Sequence, residues 1–168
     1  KAEYNDEDIG LIRIPLSPFK KVKIPHQGQN RKRALDVKKK KKLINLPYHK
    51  LIRNGFNRYN LAKDAFMLSF MLIGMNGVDL YNCVDYKKGR ITYQRTKTKN
   101  RRDDKAEISI KIEPEIKNLI DKYRDPTGKR VFRFYLEYNS FHTFCVAVNK
   151  GLKLIGKDIN VDDLEFYA

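Results

Sequence analysis

The chain has 168 residues, and 36 lysines and arginines stand against 20 acids, a formal charge of +16. That length suits one domain, or one domain plus a linker, and can bury roughly 70% of its unfolded surface. Apolar residues make up 41%, with ten tyrosines and nine phenylalanines, so a 33% charged fraction does not make this a disordered basic tail.

Self-repulsion at this charge is tolerated best beside a polyanion. Nucleic acid is the first such partner and an anionic membrane the second. The membrane reading needs an amphipathic basic helix or a lipid anchor, and no segment makes one. No run of about 18 apolar residues exists, and Lys1 to Asp8 holds no apolar signal core. The expectation is a cytoplasmic protein with no membrane partner. Cys83 and Cys145 sit in apolar patterns and read as buried free thiols. His26, His49 and His142 have no metal-ligand spacing, so neither a zinc site nor a cofactor is expected.

Residues 1–30 read as a connector, because Pro18 and Pro25 break helices and Lys20, Lys21 and Lys23 keep it basic. Residues 31–168 read as the main domain. Asp36 is placed to cap a helix over Val37 to Leu46 that carries Lys38 to Lys42. Those lysines are either a solvated face or a phosphate-contacting one. Leu61 to Met75 is apolar nearly all round and predicts a buried helix, its methionines and phenylalanines in the core. Gly74 and Gly77 then mark a turn, and a short helix runs from Val78 to about Val84.

Arg90 to Arg95 and Glu107 to Ile112 alternate with period two and predict a hairpin. Its ten-residue tip, Thr96 to Lys105, is strongly basic. Pro114 opens a helix with a stripe of Ile116, Leu119, Ile120 and Tyr123, which Asp125 to Gly128 stops. Asn139 or Ser140 caps a last long helix, with Phe141, Phe144, Cys145, Val148, Leu152 and Ile155 inward. The fold expected is α+β, mostly α, with helices around one small antiparallel β-hairpin or sheet.

The order of these elements, with the residues in them, resembles the tyrosine recombinase (phage integrase) family over residues 16–168. Ser17-Pro18-Phe19 is similar to the step leaving that family's core-binding domain, and Ala34-Leu35-Asp36 to the start of its catalytic domain. Leu68 to Leu80 resembles the arginine box. Thr96-Lys97-Thr98 resembles the hairpin tip bearing the catalytic lysine, and Ile112 to Glu115 the helix entry after it. The resemblance implies a DNA recombination or integration enzyme of a mobile element, such as an integrase or a transposase. A tyrosine would attack the backbone phosphorus to form a 3′-phosphotyrosine, without metal or ATP. Preorganised cations would hold the phosphorane, whose charge exceeds that of the ground state.

Carried over by position, Lys97 matches the general acid, with Lys99 two residues along as runner-up if the strand continues. Lys99, Arg101, Arg102, Arg95, Lys38, Lys39 and Lys42 are the expected DNA contacts. Asp79 matches the acid of the arginine box and either supports the site or caps the short helix. Two departures stand out. Asn76 occupies the first-arginine position and brings no charge, at a cost on the order of 1.5–3 kcal/mol against a charge-assisted contact. It is either a phosphate donor or a turn residue; either another cation supplies the charge, with Arg95, Arg101, Arg102 and Arg53 the candidates, or activity is weakened. The chain also stops before the His-x-x-Arg box and the nucleophile tyrosine, Tyr167 reading as a packing residue. The expectation is therefore the front part of a catalytic domain, inert and monomeric alone, from a parent that works as a tetramer on double-stranded DNA. A non-catalytic DNA-binding relative and an unrelated RNA-binding α+β protein are the alternatives.

Overall fold

The computed structural model describes residues 5–6, 8, 10–12, 35–51, 57–101, 103–162 and 164–166. The readings made for Ser17 to Phe19, Ala34, Arg53, Arg102 and Tyr167 lie outside them. The chain forms two compact units, 1–32 and 33–168. In the first, the two-residue strands β1 (Asn5–Asp6) and β2 (Leu11–Ile12) pair antiparallel. The second holds the rest and is mostly helical around one antiparallel sheet.

Helix α1 spans Val37–Asn45, and the Asp36 carboxylate accepts from the Lys39 backbone N–H at 2.7 Å. Leu43 is its buried residue; Lys38, Lys41 and Lys42 are exposed, and Lys39 and Lys40 half-buried. An extended segment, 46–51, follows. Asn60 grips it by accepting from His49 N and donating to His49 O, both at 2.8 Å. That double contact imitates a strand pair.

Helix α2 spans Arg58–Met71 and is capped by Asn57. It starts three residues earlier than expected and ends four earlier. The stop is backbone geometry: Ile73 and Gly74 have φ of 57° and 73°, and Gly74 N and Met75 N both donate to Ser69 O. The helix is also less apolar inside than its sequence suggests. Lys63 and Asp64 are buried. Asp64 accepts from Tyr48 Oη at 2.6 Å, Tyr123 Oη at 2.8 Å and Lys122 Nζ at 2.5 Å, while Lys63 Nζ donates to Leu46 O. Burial first, and the Asp64 charge and hydrogen bond with it, push both phenols above the ordinary tyrosine range. Phe70, assigned to the core from sequence, is instead 47% exposed. Lys40 Nζ sits 5.2 Å from its ring centroid, so a lysine covers what the core leaves open.

Helix α3 (Gly77–Asn82) leads into a three-stranded antiparallel sheet of order β3 (Asp85–Lys87), β4 (Arg90–Gln94), β5 (Glu107–Lys111). Strand β3 was not foreseen; at three residues it shows no alternation to read. Lys88 and Gly89, with φ of 48° and 69°, turn β3 into β4, which is the backbone twist a two-residue hairpin wants. The inner face carries Ile91 and Ile110, buried, and Tyr86, Tyr93 and Ile108, partly buried.

Helix α4 (Pro114–Lys122) begins on its proline and buries Ile116 and Ile120. A short α5 (Phe134–Glu137) precedes α6 (Phe141–Ile159), where Ser140 and Thr143 form a reciprocal capping box. Phe132, Phe134 and Phe144 are fully buried, the last two with ring centroids 4.6 Å apart. Helices α2 and α6 make the central packing, and Gly151 lets them meet: a Cβ there would lie 2.4 Å from both Ala62 Cβ and Arg58 O. Both cysteines are free, but Cys145 is only half-buried, because it lies at the edge of the α6 core stripe.

Candidate nucleic-acid interface

Asn76 is the N-cap of α3. Its side-chain oxygen accepts from Val78 N at 3.3 Å. That is the turn-residue geometry, and it occupies the oxygen end of the amide; the nitrogen end has no partner among the described residues. Gly77 follows because a Cβ there would meet the Phe166 ring at 2.4 Å.

Asp79 sits in the first turn of α3 and is buried. It does not cap the helix. Its Oδ1 accepts from Thr96 N at 2.9 Å and from Thr96 Oγ1 at 2.6 Å. Thr96 is the first residue of the basic tip, so a buried carboxylate bolts the tip to α3 by two charge-assisted hydrogen bonds. Thr96 was missed from sequence, because nothing in a threonine beside a lysine shows which carboxylate it will meet.

The tip itself is a turn, not extended strand. β4 stops at Gln94, and Arg95 O accepts from Thr98 N at 3.0 Å and Lys99 N at 2.9 Å; Arg101 N donates to Thr98 O at 2.9 Å. The condition that would place Lys97 and Lys99 on one strand face is therefore not met. Arg95, Lys97, Lys99 and Arg101 are all exposed, and none forms an ion pair among the described residues. On the return, Asp104 Oδ1 accepts from Ala106 N at 2.9 Å, and Lys105 and Ala106 take φ of 53° and 49°. Two successive non-glycine residues in the left-handed region cost of the order of 1–3 kcal/mol each. The surrounding turn has to hold them.

Beneath the tip, α3, β3 and β4 enclose an open cavity of about 370 Å³ lined by Asp79, Asp85, Glu107, Tyr93, Thr96 and Lys99 among others. Asp79, Asp85 and Glu107 outnumber Lys99 in its wall, so the more anion-attracting surface is the tip above it. Cys83, also in its wall, has its thiol pushed up to about 12 by burial and by the Asp79 charge, and is no nucleophile at neutral pH. Among the described residues, no group of His, Cys, Asp and Glu is placed to hold a metal ion.

The structure thus brings Asn76, Asp79 and the tip cations onto one assembly of α3 and the hairpin. Lys38 and Lys42 lie on a different element, α1, which packs on α2 and α6. Lys39 is half-buried there. No helix among the described residues is long and apolar enough to cross a membrane. Comparison with known proteins finds no matching family model, no similar curated protein and no similar solved structure.

Proposed function

We propose that this chain binds double-stranded DNA through the hairpin tip and forms part of a tyrosine-type site-specific recombinase or integrase. The observation that carries the reading is the tip: four exposed, unpaired cations on a loop fixed to a buried aspartate. A surface lysine on a free loop loses rotamer and backbone freedom when it meets a phosphate. Here the backbone part of that loss is already met by the Asp79–Thr96 anchor.

In this reading Lys97 donates a proton to the departing 5′-oxygen, and Arg95, Lys99 and Arg101 hold backbone phosphates. Arg and His groups beyond the chain, with a tyrosine nucleophile, complete the site in the parent protein, which acts as a tetramer. A non-catalytic DNA-binding relative is the second reading. The observation favouring it is that Asn76 uses its carbonyl as a helix cap and brings no charge.

The binding claim is tested by anisotropy on a labelled duplex with Lys97, Lys99 and Arg101 all changed to Ala. Each lost phosphate contact should reduce the log–log salt slope by about 0.9. A triple variant that binds with unchanged affinity and slope sinks it. The catalytic claim is tested in the parent protein with a 5′-bridging phosphorothiolate, whose thiolate leaves without a proton. Lys97→Ala should lose cleavage of ordinary DNA and regain it on that substrate; equal loss on both removes the general-acid role.

A further inference from the structure

The outer face of the sheet carries a second basic feature, at the end away from the tip. Register places Lys87 opposite Arg90, and Arg90 opposite Lys111. Three cations therefore stand side by side on three adjacent strands, with neighbouring strands about 4.8 Å apart. All three are exposed, and Lys88 in the β3–β4 turn adds a fourth. Like charges directly opposite one another destabilise a sheet, and a strand face open to water has no need of them.

Neutralisation inside the molecule is incomplete. Lys87 Nζ lies 3.1 Å from Asp85 Oδ1, an oxygen that is itself buried, and Lys111 Nζ 3.4 Å from Glu113, an exposed pair of little strength. Arg90 has no acid. Its Nε and Nη2 donate to Ser109 Oγ and O at 2.9 and 3.0 Å, which fixes the guanidinium flat along β5 and leaves Nη1 unpartnered among the described residues. Four cations against two carboxylates, with the central one held rigid, is the chemistry of a phosphodiester contact rather than of a folding contact.

We infer that the Lys87–Arg90–Lys111 row is a second docking site for the nucleic-acid backbone, separate from the hairpin tip. β4 runs from Arg90 to Gln94, so the row lies about 17 Å from Arg95 along the strand. That is on the scale of half a turn of B-form duplex. A duplex lying along the sheet meets the tip with one stretch of backbone and the row with another, a groove rather than phosphates facing Asp85 and Glu107 between them. The partner's identity rests on the DNA reading above; the site does not rest on the tip.

The test uses the full 168-residue chain, a labelled duplex and two substitutions. Arg90→Glu puts an acid between two lysines in register. It is expected to hold or raise the melting temperature while weakening duplex binding by about tenfold or more at low salt. Lys87→Gln with Lys111→Gln should weaken binding and reduce the salt slope by about two units. The tip triple variant is measured beside them. If the tip variant weakens binding and the row variants do not, the row proposal is overturned and the tip reading stands. If the row variants weaken it and the tip variant does not, the row stands and the tip reading falls. Absence of duplex binding by the unaltered chain overturns both.

Discussion

Asp125 is a carboxylate held by a turn. Burial alone would raise its pKa, but the Arg130 and Thr127 backbone N–H groups and the Tyr135 and Thr127 hydroxyls all donate to it, at 2.8 to 2.9 Å. The donors win, and the group lies well below the usual carboxylate range. A depressed folded pKa gives stability that is present above the unfolded value, near 4, and is lost as pH falls through the folded one. Asp125→Asn should therefore be less stable than the parent chain at about pH 6, with the gap narrowing as pH falls from about 4 toward about 2, followed as melting temperature against pH. A gap that stays constant with pH would show that the carboxylate's charge is not what the turn uses. Thr96→Val asks the same kind of question of the tip. It removes one donor from a buried carboxylate, a cost of about 1–3 kcal/mol, without touching any cation. Duplex affinity should drop although the charge of the tip is unchanged; an unaltered affinity in a folded variant would mean the Asp79 anchor does not matter to binding.

At the scale of elements, α2 and α6 depend on one missing methyl group. In an exposed helix, Gly→Ala gains about 1 kcal/mol. At Gly151 the new Cβ would run into Arg58 O, a backbone atom with no rotamer to give way. Gly151→Ala should instead destabilise by about 1–3 kcal/mol in urea titration, and a stabilised variant would mean that the helices are not in contact there. The helices were legible because they repeat: α4 and α6 show their buried stripe at 3.6-residue spacing, and Asp36, Pro114 and Ser140 announce their starts. The hairpin was legible by alternation. What escaped is what depends on partners distant in sequence. Asp64 and Lys63 read as interruptions of an apolar helix, yet they are buried because Tyr48, Lys122, Tyr123 and Leu46 O arrive from elsewhere. β3 and α5 are too short to carry a period. In the site, charge alone found the tip cations, whereas Thr96 needed the position of Asp79, and the turn after Gln94 needed the hydrogen bonds to Arg95 O.

For the whole molecule, a charge of +16 sets how salt acts on stability. Two effects oppose each other. Salt weakens the exposed pairs Lys111–Glu113, Arg124–Asp121 and Arg133–Glu137, but such pairs contribute only about 0–1 kcal/mol each. Lys122–Asp64 has a fully buried carboxylate and is screened little. Salt also screens the repulsion among cations on α1, the tip and the sheet row, where most have no acid at hand. Their spacing is comparable with the Debye length of about 10 Å at 0.1 M, so added salt removes much of that repulsion. The second effect involves more groups and should prevail: the melting temperature of the free chain should rise by a few degrees between about 0.01 M and 0.3 M salt. Duplex DNA should also raise it, by linkage, but most at low salt, since its affinity falls as counterions compete. The free and DNA-bound melting curves should therefore converge as salt increases. A free chain that melts lower in salt would mean its cations are already neutralised within the fold, and would remove the charge argument for a polyanionic partner.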